Sequence, residues 1–255
     1  MRGFLERDLS GLDLVAIFID GIDFKGHLLI VAMGLDRDGR KHVLGLRQGA
    51  TENAEVCKSL LEDLARRGLD TGKDYLFVLD GAKALRSAIA RMFGTEALVQ
   101  RCQAHKRRNV LKHLPEKHQN VVDARISAAY KMTDYDEARK SFDLMARYLE
   151  KINPDAAASL KEGLEETLTV HKLGITGLLR KTLATTNPLE SCFSGVRTTT
   201  GRVKRWRGGD MAQRWAVAAL LRAEKKFRRV KGYKELPKLA AVLQQKSLDG
   251  KEAAA

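Results

Sequence analysis

Two hydrophobic stretches of this sequence end in the same way. Leu14-Val-Ala-Ile-Phe-Ile19 runs into Asp20-Gly21, and Tyr75-Leu-Phe-Val-Leu79 runs into Asp80-Gly81. A stretch that is apolar at both alternating positions suits a strand buried on both faces of a sheet. Each would therefore deliver a carboxylate at its carboxyl end. If the two strands are neighbours, Asp20 and Asp80 meet at one sheet edge, where open sheets place their ligands. Close carboxylates repel and need cations, and oxygen donors favour Mg²⁺ or Mn²⁺. Two such ions about 3.5–4 Å apart suit in-line displacement at phosphorus, one activating the attacking oxygen and one stabilising the leaving oxygen. An Asp-Gly step is also a plain turn former, and the one in Asp36-Arg-Asp-Gly39 is read that way.

A third acid must come from elsewhere, and Asn187-Pro-Leu-Glu190 is the best candidate. The same four residues can be a helix start with Asn187 as the cap, Pro188 in the first turn and Glu190 closing a capping box. Position adds to the metal reading, because Arg197 lies seven residues on, two turns along the same face, where it can reach a phosphate. Cys102-Gln-Ala-His105 is a further pair of chemical groups. A zinc site would need two more ligands, and only His113 and His118 are near in sequence. A structural role at a helix start beside the acids is the preferred reading. Of Lys106, Arg107 and Arg108, which point in different directions on a helix, one is expected to reach DNA. The other histidines, His27, His42 and His171, are read as ordinary surface or strand residues.

The charge is local. Of the formal +14, the window from Gly195 to Lys234 carries +11, with thirteen basic residues against Asp210 and Glu224. A concentrated basic segment with Trp206, Trp215 and Phe227 interleaved reads as a surface for nucleic acid, against the alternative of a solvated helix face. Arg202, Lys204, Arg205 and Arg207 are its expected phosphate contacts, carrying little sequence information.

The elements that must position these groups follow from periodicity. Leu28 to Met33 and Val43 to Leu46 are strands joined across the Asp36–Gly39 turn, forming a meander with the first strand. A helix capped by Thr51 carries Val56, Leu60, Leu61 and Leu64 on one side. After the strand at 75–79 come a helix from Ala82 to Met92, a short strand at Ala97 to Val99, and a helix from Cys102. From 117 to 183 only helical spacing appears, with helices at Val121–Tyr130, Tyr135–Leu149 and Pro154–Leu168. Final helices are expected at Ala184–Arg197 and Met211–Arg228. The domain reading is a core at 1–116, a helical insertion at 117–183, closing helices with the basic surface at 184–234, and a tail at 235–255 that frays from Lys246.

Hydrophobic residues make up 44% and charged residues 31%, with four prolines, which excludes collagen-like and wholly disordered chains. No run approaches the roughly 20 apolar residues of a spanning helix, and no signal peptide is visible at Met1–Ser10. Three well-separated cysteines, Cys57, Cys102 and Cys192, suit free thiols and a cytoplasmic location.

Four ordered segments carry a resemblance. They are IDGIDFKGHLLIVAMGLDRDGRKHVLGLRQGATENAEV, VLDGAKALRSAI, RCQAHKRRNVLKHLP and TTNPLESCFSGVRTTTGRVKRWRGGDMAQRWAVAALL. Together, across nearly the whole chain, the sequence resembles the catalytic half of Mutator-type bacterial insertion-sequence transposases. The resemblance implies an α/β, RNase H-like mixed sheet flanked by helices, with an all-helical insertion before the third acid. It implies an acidic triad of Asp20, Asp80 and Glu190 holding two Mg²⁺ or Mn²⁺ ions. The family's cysteine–histidine signature falls on Cys102 and His105, and its basic residue after the Glu on Arg197. The implied activity is DNA cleavage and strand transfer on double-stranded DNA at the nucleoid, by a homodimer that brings two ends together. Members normally carry an end-recognising DNA-binding region before the first Asp, so a first Asp at residue 20 reads as a truncated copy or catalytic fragment. Two other readings stay open: a non-catalytic DNA-binding remnant, and an RNase H-like nuclease without joining activity.

Overall fold

The computed structural model describes residues 1–23, 27–49, 54–201, 203 and 208–252. Its centre is a mixed five-stranded sheet in the order β3-β2-β1-β4-β5. Strand β1 (Leu14–Asp23) pairs antiparallel with β2 (Leu28–Asp36), which pairs antiparallel with β3 (Lys41–Gly49). On its other side β1 pairs in parallel with β4 (Leu76–Leu79), and β4 with β5 (Leu98–Arg101). The α/β class and the order of three strands, helix, strand, helix, strand were legible from periodicity.

Helices cover both faces, which is why the strands are apolar throughout. Helices α2 (Ala54–Arg66) and α3 (Lys83–Phe93) bury Leu60, Leu64, Leu85 and Ile89 against Ile17, Ile19 and Phe77. On the opposite face lie α11 (Asn187–Thr200), α12 (Gly209–Glu224) and α13 (Leu236–Glu252), packed on Phe18, Val31, Met33 and Val78. Helix α4 (Gln103–Lys112) leads from β5 into α5 (Glu116–Lys131), α6 (Tyr135–Glu150) and α7 (Pro154–Lys161). These close their own core around Phe142, Ile126 and Leu149. The short helices α8 (Leu164–Thr167), α9 (Thr169–Lys172) and α10 (Gly177–Leu183) return to α11. The first two are tied to β5 by the buried Gln100, whose Nε2 donates to Thr167 O at 2.9 Å and whose Oε1 accepts from Val170 N at 3.0 Å. The remaining edge of β5 is thereby covered.

Several sequence expectations differ from the structure. Strand β1 does not stop at Asp20-Gly21; it continues to Asp23, with Asp20 opposite Val31 in β2. What stops there is the parallel ladder, since Ile19–Leu79 is the last pair with β4. The expected helix 154–168 is broken at Gly163, a left-handed residue with φ 60° packed close to Arg101. The segment 235–255, read as a tail, is largely helix α13, whose Leu236, Leu239 and Leu243 are buried in the sheet core. His171, read as a surface or strand residue, is buried in α9 with Nε2 3.2 Å from Tyr130 O. Thr51, the expected cap of α2, lies outside the described residues.

Candidate active site

Strand parity aims the first two acids. In β1, Phe18 and Ile22 belong to the core beneath α11, so Asp20 between them faces the same side. In β4, Leu76 and Val78 face that core too, and Asp80 continues their parity just past the strand. The two Asp-Gly steps nevertheless serve different ends. Gly81 has φ 109°, and a Cβ there would collide with the Arg101 guanidinium, which donates to Gly81 O at 2.6 Å. That step is a true turn. Asp80 Oδ1 steadies it by accepting from Ala82 N at 3.0 Å. Gly21 stays in extended strand, with its N–H donating to Asp20 Oδ1 at 2.8 Å.

Glu190 reaches the same place from α11. The starts of α4 and α11 are held together by Gln103 N donating to Ala184 O at 2.9 Å and Thr186 N donating to Cys102 Sγ at 3.4 Å. The cap of α11 is Thr186, one residue before the expected Asn187, which is exposed and has its N–H on Thr185 Oγ1. Glu190 therefore does not close a capping box. Its Oε1 lies 3.5 Å from His105 Nε2, 3.5 Å from Arg108 Nη2 and 3.2 Å from Thr186 Oγ1. Among the described residues, ligand atoms of Asp20, His105 and Glu190 lie within 4.8 Å of one another. Asp80 stands beside this group through its charge on Asp20.

The electrostatics are those of a crowded anionic pocket. Burial, and next the neighbouring Asp80 charge, push the Asp20 carboxyl up to about 6, against the opposing pull of His105. His105 is held above its ordinary value, first by the Cys102 sulfur and also by the Asp20 charge. Burial pushes the Cys102 thiol up, but hydrogen bonds from His105 and Thr186 outweigh it and hold the thiol below its usual range. Perturbed groups gathered at one edge make this the candidate functional site.

The three basic residues after His105 part company. Lys106 is buried and donates to Ser159 O at 2.6 Å, and Arg107 pairs with Asp123 at 3.1 Å. Arg108 alone stays half-exposed beside Glu190. Arg197 is exposed two turns along α11. Arg202, Lys204, Arg205 and Arg207 lie outside the described residues. Sequence reasoning did not single out Thr186, fully buried between Cys102 and Glu190. Its signal was its place before Asn187-Pro188, at the start of a proline-led helix. It read His105 as structural beside the acids and not as a group within reach of Glu190, because that approach is set by how α4 and α11 meet.

The profile described as transposase, Mutator family, matches residues 4–229. The chain belongs to this family. It is 35% identical over 236 residues to the transposase of insertion sequence element IS6120 of Mycolicibacterium smegmatis, covering 87% of this chain and 70% of that one. It is 30% identical over 176 residues to the IST2 transposase of Acidithiobacillus ferrooxidans, covering 69% of this chain and 58% of that one. With the IS256 transposase of Staphylococcus aureus transposon Tn4001 it shares 28% identity over 193 residues, 75% of this chain and 48% of the relative. The chain thus spans about half to seven tenths of the length of these relatives. No helix among the described residues is long and apolar enough to cross a membrane.

Proposed function

We propose that this Mutator-family chain is the catalytic portion of an insertion-sequence transposase, performing metal-dependent cleavage and strand transfer on double-stranded DNA. The observation that carries the reading is the approach of Asp20 and Glu190, from a central strand and a distant helix, with Asp80 following the Ile19–Leu79 pair at the end of the adjacent parallel strand. The order β3-β2-β1-β4-β5, with β2 alone antiparallel to β1, supports an RNase H-like core. Residues 117–183 are then its helical insertion before the third acid; up to Leu168 they share a core with Val110 and Leu114, and from Val170 they rejoin the sheet core.

The residues fit divalent cations: carboxylate oxygens converge, and the Asp20 charge is countered chiefly by one imidazole. Asp20, Asp80 and Glu190 would hold two Mg²⁺ or Mn²⁺ ions, which supply charge stabilisation at the attacking and leaving oxygens. In cleavage, a water oxygen bonds to phosphorus as the P–O3′ bond breaks, freeing a 3′-hydroxyl. In joining, that hydroxyl attacks a target phosphodiester and displaces the target's own 3′-oxygen. Arg108, 3.5 Å from Glu190, and Arg197, exposed two turns along α11, would hold the phosphate backbone, with Arg202, Lys204, Arg205 and Arg207 proposed from sequence as further phosphate contacts. Action on paired element ends at the nucleoid, by a homodimer, completes the reading.

The test is Asp80→Asn and Glu190→Gln, assayed for Mg²⁺-dependent cleavage and joining of element-end DNA. Loss of one acid should lower the rate about 10³-fold or more, since charge stabilisation of several kcal/mol is withdrawn. Full activity in either variant removes that residue from the mechanism. Salt-sensitive DNA binding by the unaltered chain without turnover, even with Mn²⁺, supports a non-catalytic remnant instead.

A further inference from the structure

We propose that His105 is itself a ligand of the divalent cation, so that Asp20, His105 and Glu190 form a mixed oxygen–nitrogen site suited to a transition-metal dication such as Mn²⁺. The inference rests on the metal reading above and adds to it a donor atom and a metal class. A carboxylate-only site is matched to Mg²⁺, whereas an imidazole shifts preference toward first-row transition metals.

Geometry carries the proposal. Ligand atoms of Asp20, His105 and Glu190 already lie within 4.8 Å of one another. Donors bonded at about 2.1 Å to one octahedral ion stand roughly 3 to 4 Å apart, so a small inward turn of the side chains suffices. His105 Nε2 is 3.5 Å from Glu190 Oε1, too far for a well-made hydrogen bond but suited to two groups facing a shared third atom.

The surroundings of the imidazole point the same way. A ligating histidine is normally oriented through its other ring nitrogen. The His105 ring is set against the Cys102 sulfur, which stands where an orienting oxygen usually would. Cys102 is fully buried at the start of α4, and its sulfur accepts from the Thr186 backbone N–H at 3.4 Å. Cys102 thus backs the ring from behind, and Thr186 backs both Cys102 and Glu190. The cap and third residue of one helical turn bring a sulfur and an imidazole together, which accounts for the Cys-x-x-His spacing without zinc. His113, the histidine nearest in sequence, ends α4 exposed, and no group of three ligating side chains within 4.8 Å among the described residues includes it.

The experiment is pulsed electron paramagnetic resonance on the full chain loaded with Mn²⁺, read for nitrogen coupling. The unaltered chain should show ¹⁴N modulation that changes to the ¹⁵N pattern when only histidine is ¹⁵N-labelled. In His105→Gln the modulation should vanish and Mn²⁺ affinity fall about tenfold or more, with a smaller change for Mg²⁺. If His105→Gln fails to fold, the labelled chain carrying Asp20→Asn supplies the second arm, and coupling that disappears there assigns it to this site. Mn²⁺ that binds in an Asp20-dependent way without histidine coupling overturns the ligand assignment and leaves the metal reading standing. Coupling that persists in folded His105→Gln, or in Asp20→Asn with Mn²⁺ affinity unchanged, also overturns it. Absence of Mn²⁺ binding by the unaltered chain overturns both.

Discussion

Acids of two kinds flank the ends of β4 and β5. In the 162–166 segment, Glu162 meets Arg101 at 3.0 Å and Lys106 at 3.3 Å, and Glu166 meets Arg86 at 2.8 Å. Glu165 accepts from Tyr135 at 2.6 Å and meets Lys172 at 2.7 Å and Arg139 at 2.5 Å. Asp20 is more buried than any of these, yet its charge is met by one histidine and two neutral donors, the Gly21 N–H and the Thr186 hydroxyl, and opposed by Asp80. Burial pushes Glu165 up, but its partners more than reverse this and bring it down to about 2, whereas Asp20 is driven up to about 6. The first group holds helices together. The second holds an unfavourable charge arrangement, one that the divalent cations proposed above would relieve.

This contrast can be broken by variants on either side. The largest stability effect is expected at Lys106, which ties α4 to the end of α7 through Ser159 O and the Glu162 carbonyl. Lys106→Met should remove about 2–3 kcal/mol, since buried carbonyls lose their donor and Glu162 loses a partner. Chemical denaturation checks it, and an unchanged midpoint would mean that water replaces the ammonium at no cost.

Asp20→Asn should move stability the other way. A carboxyl raised from 3.8 to about 6 penalises the folded state by up to about 3 kcal/mol at neutral pH, so the amide should gain about 1–2 kcal/mol in chelator. Because the folded value lies above the unfolded one, the penalty is complete above pH 6. It fades as pH falls toward 3.8, and the gain fades with it. Thermal melting of both chains across this range is the measurement. An Asn variant that melts lower at pH 7.5 would mean that Asp20 is a structural acid like those of the 162–166 segment.

The smallest effect belongs to Glu165, half-exposed and screened by solvent. Glu165→Gln should cost less than about 1 kcal/mol at pH 7. Here the folded value lies below the unfolded one, so the contribution is present above pH 4.5 and lost as pH falls toward 2. The variant and the unaltered chain should therefore converge in acid. A difference that grows in acid would contradict the assignment.

Most of the sheet was legible because doubly buried strands advertise themselves, and the Asp36–Gly39 turn sits between β2 and β3 as read. Strand ends were harder. Nothing local distinguishes the in-strand Asp20-Gly21 from the turn at Asp80-Gly81; Arg101, twenty residues after Gly81, makes the difference. The cap of α11 was misplaced by one residue because Asn187 is a good cap in isolation, and Thr186 prevails through its contacts with Cys102 and Glu190. Helix α13 was missed because its apolar positions pack on β1 and the sheet core rather than forming a strong stripe of their own.

What residue order alone settled was the direction of each side chain within its own element. A two-residue strand repeat puts Asp20 on the side of Phe18, and a 3.6-residue helical repeat puts Arg197 in line with Glu190. Such repeats act over a few residues and say nothing about which elements meet. The approach of His105 to Glu190, 85 residues apart, was decided only when α4 and α11 began at the same sheet edge, joined by Gln103, Ala184, Cys102 and Thr186. Packing between distant segments is a property of the whole core, and for that reason the imidazole, read from sequence as structural beside the acids, met Glu190 only in three dimensions.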